Sequence, residues 1–313
     1  GGLYDVVNGL FADYIIRPYT YSEHRIIEDQ LELFQPLLKT LKNKILILAD
    51  RGYSSLSLMI LMNRLGYKFC IRGKRSDYKA LVRRMATNDE SIFIKATRTL
   101  LNRLQDDLVV AWLTQNDGFS VRAVKNYWTN PETGEEQLTI YFTNLTPEEF
   151  STDEIIELYN KRWRIELAYR TLKVECEWER HTSGKVNIAY NLLYGKVMHY
   201  NFNGILREEF ELTLLQSPTS KYAIAINERA LFEKLNAENL LQAMFSSGSS
   251  KLRTILRNIR DCIHTLKTYV RPDRHYARWG RPVTTSHNYR FRIDGRNHPR
   301  VALINGCLRT VRP

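Results

Sequence analysis

Between Tyr159 and Lys173 the chain reads YNKRWRIELAYRTLK, with one carboxylate, Glu166, among five basic side chains. At about 100° per residue, Tyr159, Arg162, Glu166 and Lys173 share a narrow arc of a helix. Trp163 and Arg170 border that arc, and Leu158, Ile165, Leu172 and Cys176 form an apolar stripe beside it. The simplest use of such a face is an ion pair from Glu166 to Arg162 or Arg170 at i±4, worth about 0.2–0.5 kcal/mol. The other use is chemical: Glu166 binds a divalent cation while the surrounding cations hold phosphates. Metal-assisted phosphodiester chemistry requires that closeness, because the metal touches both carboxylate and phosphate.

A second acid stands in a comparable setting. In KILILADRGY the run Ile45–Ala49 is short and apolar, as a strand covered on both faces should be, and Asp50 ends it. Gly52 permits a tight turn, Ser54 or Ser55 caps the helix SLSLMILMNRL, and Gly66 stops it before the strand YKFCIRG. A strand–helix–strand order implies a parallel pair with a crossover.

The other elements follow from the same signals. Residues 3–16 read as a strand or a short helix, and 28–41 as an amphipathic helix kinked or broken at Pro36. From about 74 to 146 the character turns β-rich, with a hairpin turn at NPETGEE between SVRAVKNYW and QLTIYFTNL. Ser151 and Glu154 make a capping box that opens a helix running to about Glu179, ended by Ser183-Gly184, and a second long helix covers roughly 187–211. The Ser/Gly run at 246–250 is a linker. No internal repeat stands out.

The chain has 313 residues and a formal net charge of +12. Fifteen of its 46 Lys+Arg and three of its 34 Asp+Glu lie between 251 and 313, so that segment carries the whole excess. Tyr269, Tyr276, Trp279, Tyr289 and Phe291 are interleaved with those arginines, a pattern that fits a nucleic-acid backbone. No apolar run reaches the roughly 18 residues of a membrane helix, and no secretory signal opens the chain. GGLYDVV lacks an initiator Met and reads as a fragment or a processed product. Cys70, Cys176, Cys262 and Cys307 include no close pair, so inert thiols are preferred over a zinc site at Cys262, His264 and His275. Phosphate-loop, Rossmann and nucleophile-elbow patterns are absent.

Tyr159, Arg162, Glu166 and Lys173, at intervals of three, four and seven, resemble the Y-R-E-K signature of bacterial insertion-sequence transposases of the DDE type, the insertion-sequence type 4 family. Four fixed positions match by chance roughly once in 10⁵ starts. KILILADRGY is similar to that family's second motif, and the likeness runs from about residue 3 to 210.

The resemblance implies an α/β fold: an RNase H-like mixed sheet with flanking helices, interrupted by a β-rich insertion, with a basic C-terminal tail. It divides the chain into 1–73 (the N-terminal part of the core), 74–146 (the insertion), 147–212 (the catalytic-helix part) and 213–313 (a helical and basic region). It implies metal-dependent cleavage and strand transfer of DNA at the ends of an insertion sequence. Asp50 and Glu166 would be catalytic metal ligands for two Mg²⁺ (or Mn²⁺), and Tyr159, Arg162 and Lys173 would grip phosphates. Trp163 would stack on a base or pack in the core, with Trp128 a weaker stacking candidate. Expected partners are transposon-end repeats and target DNA, bound by a homodimer, in the bacterial cytoplasm near the nucleoid.

The family's first aspartate belongs to a strand upstream of LYDVVNGLFADYII, and neither Asp5 nor Asp13 has its context. The expectation is a truncated transposase whose sheet has an open edge. The alternatives are a DNA-binding remnant without catalysis and a structure-selective nuclease on the same core.

Overall fold

Alternation along three central strands explains why this sequence builds layers. Phe69, Ile71, Ala123, Ile140 and Phe142 are buried in one core cluster, whereas Cys70, Val124 and Tyr141 are buried in another. Successive residues of a strand point to opposite faces, so each strand serves both clusters. In the computed structural model, residues 1–18, 20–40, 45–131, 133–178, 185–215, 223–234, 249–261, 266–270, 300–304 and 307–311 are described. The chain divides into two units, one of Gly1 with Tyr21–Glu166 and one of Gly2–Thr20 with Leu167–Pro313.

The first unit is built on a five-stranded mixed sheet. In chain order its strands are β3 (Leu46–Ala49), β4 (Lys68–Arg72), β5 (Asp89–Lys95), β6 (Gly118–Thr129) and β7 (Glu136–Thr143), and in space they lie β3-β4-β7-β6-β5. Only β3 and β4 are parallel, with Ala49 opposite Ile71. The crossover helix α2 (Leu56–Leu65) starts where Ser55 Oγ accepts Leu58 N at 3.2 Å and ends at Gly66 in the left-handed region, φ 85°. Its Leu58, Met59, Ile60 and Met62 are fully buried. Each such side chain removed from water is worth about 1.5–3 kcal/mol.

On that face lie α1 (Glu23–Thr40) and α5 (Asp107–Gln115), which contribute Leu31, Val109 and Leu113. The amphipathic helix thus starts earlier than its apolar period suggests. It runs unbroken through Pro36, so the expected break does not occur. The short helices α3 (Lys79–Arg84) and α4 (Arg98–Leu101) flank β5 in sequence. The three strands of segment 74–146 therefore complete the same sheet that β3 and β4 begin. β3 forms one edge, and Leu46, Ile47 and Leu48 are only partly buried, unlike a strand covered on both sides.

The opposite face carries α6 (Thr152–Asn160), whose Ile155 and Tyr159 are buried against Cys70, Val124, Tyr141 and Leu145. The capping box forms as read: Ser151 Oγ accepts Glu154 N, and Ser151 N donates to Glu154 Oε2 at 2.8 Å. The helix does not continue to Glu179. It stops at Asn160 and resumes as α7 (Trp163–Val174). Across the join, Lys161 N bonds Leu158 O, Arg162 N bonds Tyr159 O and Arg164 N bonds Lys161 O, all i to i−3. Such bonds tighten the turn and shift the register of the 3.6-residue face.

A buried brace holds α6 to the sheet. Arg122, 4% exposed, donates to both Asp89 oxygens at 2.7 and 2.6 Å and to the carbonyls of Leu145 and Phe150 at 3.2 and 2.7 Å. Thr152, the first residue of α6, donates Oγ1 to Asp89 Oδ2 at 2.5 Å.

In the second unit residues 3–16 form a hairpin, β1 (Gly2–Asp5) and β2 (Leu10–Tyr14). Asp5 closes its turn by accepting Val7 N and Asn8 N at 2.8 and 3.1 Å. The long helix α8 (Val186–Leu215) supports the hairpin: Asn201 bonds both the N–H and the carbonyl of Phe11, at 2.8 and 2.9 Å. Beyond it lie β8 (Ala223–Ile226) paired with β9 (Lys267–Val270), α9 (Glu228–Lys234), α10 (Ser249–Asp261), and the pair β10 (Arg300–Ile304) and β11 (Cys307–Val311). Ser183-Gly184, Tyr276, Trp279, Tyr289, Phe291, Cys262, His264 and His275 lie outside the described residues.

Candidate active site

Parallel strands joined by a right-handed crossover bring their C-terminal ends side by side, and ligands gather there. Asp50 follows β3 and Arg72 ends β4, so the two side chains meet: Arg72 Nη2 lies 3.2 Å from Asp50 Oδ1. Asp50 is also the N-cap of the 3₁₀ turn Arg51–Tyr53, yet its side chain makes no cap bond. The carboxylate is thus left for partners across the sheet.

Tyr159 reaches the same oxygen from α6, donating its hydroxyl to Asp50 Oδ1 at 3.3 Å. Its ring sits on Tyr141 with centroids 4.8 Å apart. Burial raises the Tyr159 pKa well above the ordinary phenol value, and the Asp50 charge adds to this, so the hydroxyl keeps its proton and donates.

Arg162 stacks over the Tyr159 ring at 5.7 Å and donates Nη2 to Glu166 Oε1 at 2.8 Å. Burial works against the charged guanidinium, but the bond to Glu166 and the nearby negative groups outweigh it and its pKa is raised. Arg162 Nε is buried with no hydrogen-bond partner. Arg72, Asp50, Tyr159, Arg162 and Glu166 therefore form one contiguous chain of contacts. The i,i+4 ion pair anticipated as the simplest use of Glu166 is formed.

Two further expected site residues, Trp163 and Lys173, lie on α7. Trp163 is 57% exposed, so it is not a core residue. Lys173 is exposed and falls in the second unit. Trp128 is 44% exposed on the β6–β7 hairpin, its Nε1 bonded to Thr139 Oγ1 at 3.1 Å.

The family model described as the transposase DDE domain matches residues 2–202. The chain belongs to that family. A search of curated proteins finds no match. As a DDE transposase it is a polynucleotidyl transferase in general type, and its mixed, helix-flanked sheet is the RNase H-like architecture expected. The family uses divalent metal ions and binds DNA. Among the described residues of this transposase no three His, Cys, Asp or Glu side chains gather as a metal cage. What the donor set offers is two half-exposed carboxylates, 39% and 41% for Asp50 and Glu166, beside an unsatisfied guanidinium nitrogen. Hard oxygen ligands suit Mg²⁺ or Mn²⁺. No helix among the described residues is long and apolar enough to cross a membrane.

Sequence reasoning missed Arg72. Its signal was present: a cation closes the strand that follows the Asp50 strand, and parallel register makes the two ends neighbours.

Proposed function

We propose that this chain carries the catalytic site of an insertion-sequence transposase of the Y-R-E-K type, which cleaves and joins DNA at the ends of its element. The observation that carries the reading is the contact chain in which Tyr159 and Arg162 link Asp50 to Glu166. Asp50 and Glu166 would hold the divalent ions, Mg²⁺ or Mn²⁺, two in the complete site. Bound there, the ions supply the charge that lowers the pKa of an attacking water and stabilises the leaving oxygen. Tyr159 holds the Asp50 carboxylate in place and remains neutral. Arg162 and Lys173 would grip phosphates, and Trp163 would offer a stacking surface.

Among the described residues two carboxylates reach the site, fewer than it needs, and β3 stands at the edge of its sheet. We infer that a third acid completes the site on a strand docked along β3.

The substrate is duplex DNA, the terminal repeats and the target, handled by a homodimer that brings two ends together. The charge of α10 supports a polyanion partner. Lys251, Arg253 and Arg257 are exposed toward the start and middle of that helix, and Asp261 ends it.

The test is divalent-ion-dependent nicking of duplex DNA that carries the element's end. With the strand bearing the third acid supplied, nicking is expected, and Glu166→Gln abolishes it while DNA binding persists. Nicking that survives Glu166→Gln defeats the reading. Robust nicking by the 313 residues alone, abolished by Glu166→Ala, overturns the need for a further acid.

A further inference from the structure

Each of the two carboxylates assigned to metal binding carries an arginine: Asp50 has Arg72 at 3.2 Å, and Glu166 has Arg162 at 2.8 Å. Arg162 follows the family resemblance, whereas Arg72 comes from the sheet register alone. We propose that Arg72 is the resting counter-ion of Asp50, a positioning residue that competes with the divalent ion and so couples metal binding to DNA binding. The inference rests on Asp50 being a metal ligand.

Three observations carry it. Arg72 projects from the β4 face that packs on α6, since it alternates in phase with Cys70. Its strand partner is Tyr141, whose ring packs on Tyr159, so guanidinium, phenol and carboxylate occupy one corner of the sheet. Asp50 Oδ1 receives both Tyr159 and Arg72, at 3.3 and 3.2 Å. Oδ1, engaged twice by donors, is closed to a cation until one of them leaves, and the adjacent guanidinium charge opposes a cation at Oδ2 as well.

Arg72 is 33% exposed on its side chain, so it can swing from the carboxylate toward solvent. A cation arriving at Asp50 repels it, and a nearby DNA phosphate attracts it. Each ligand thus removes the competitor of the other, and by linkage the effect is reciprocal. The exposed pair is weak on its own, so the exchange is reversible.

The experiment measures Mn²⁺ affinity of the full chain from the loss of the free-ion paramagnetic resonance signal, with and without a short duplex. Without DNA, Arg72→Gln is expected to bind Mn²⁺ about three- to tenfold tighter, from the lost pair and the lost positive charge. Lys68→Ala is the control. Lys68 starts the same strand, is paired to Glu149 at 2.8 Å and has a side-chain exposure of 36%, close to that of Arg72. It lies about 13 Å along β4 from Arg72, and its loss should leave Mn²⁺ affinity within about twofold. Duplex should tighten Mn²⁺ binding in the wild type and in Arg72→Lys, and much less in Arg72→Gln. A damaged fold loosens a metal site, so a gain of affinity cannot arise from misfolding. Equal or weaker Mn²⁺ binding by Arg72→Gln, in a protein that melts as the wild type does, overturns the inference and leaves the metal site standing. If wild-type Mn²⁺ binding is unaffected by Asp50→Asn and Glu166→Gln together, the metal-site reading falls, and this inference with it.

Discussion

The hydroxyl of Tyr159 donates to Oδ1 of Asp50 across 3.3 Å, joining residues 109 positions apart and binding the helix α6 to the end of β3. At that length the bond is a weak one, at the low end of the roughly 0.5–1.5 kcal/mol of a typical intramolecular bond. Tyr159→Phe keeps the ring on Tyr141 and removes only the donor. The urea midpoint should fall by the equivalent of about 0.5 kcal/mol. Cleavage by the metal-loaded enzyme should fall further, about ten- to a hundredfold, because a carboxylate free to rotate misplaces its ion. An unchanged cleavage rate would show that Asp50 needs no such restraint.

Trp163 separates a structural from a binding role. At 57% exposure its truncation to Ala should change stability by no more than about 0.5 kcal/mol. DNA affinity should drop by about 1–3 kcal/mol if a base stacks on it. Fluorescence anisotropy with a short duplex, alongside thermal melting, gives both numbers. A large fall in melting temperature would return Trp163 to the core.

The Asp89–Arg122 brace sets an acid limit on stability. The hydrogen bond from Arg122 holds the Asp89 carboxyl below its ordinary value, against the opposing pull of burial, with Thr152 helping. A depressed carboxyl contributes stability that is complete above its unfolded value, about 3.9. That contribution is lost as pH falls through the lower folded value. Asp89→Asn leaves Arg122, 4% exposed, without its counter-charge, at a cost of about 3 kcal/mol. Urea unfolding from pH 7 down to pH 2 should show a wild-type acid limb that is shallower in the variant. Parallel curves would show that the brace contributes nothing through ionisation.

Gly73 follows Arg72 where the chain leaves β4, with its N–H on Ile140 O at 2.8 Å. A Cβ there would collide with the ring of Phe142, which is fully buried. Gly73→Ala should therefore cost about 1–3 kcal/mol through overpacking. It should also tilt Arg72 away from Asp50, visible as altered Mn²⁺ affinity. A variant as stable as the wild type would mean that Phe142 has room to yield.

The sequence was readable wherever a local signal decides the outcome. Asp50 at a strand end, Ser55 and Gly66 at the ends of α2, and the Ser151 box at the start of α6 all act within four residues of themselves. The break at Lys161–Arg162 was not readable, because no Gly or Pro marks it. It shows only in the i to i−3 bonds that join α6 to α7. The joining of β5, β6 and β7 to β3 and β4 depends on long-range pairing, Ile71 with Phe142 for example, and composition carries no trace of it. Arg72 falls between these cases: it was hidden only until the parallel register was drawn.

The brace has a consequence for genome inventories of mobile elements. Asp89, Arg122 and Thr152 touch neither Asp50 nor Glu166 directly, yet they fix the start of the helix whose end carries Tyr159. A copy with every signature residue intact, but with Asn at 89 or Leu at 122, would be scored as functional by motif and be crippled in the cell. Counts of live copies should include the brace.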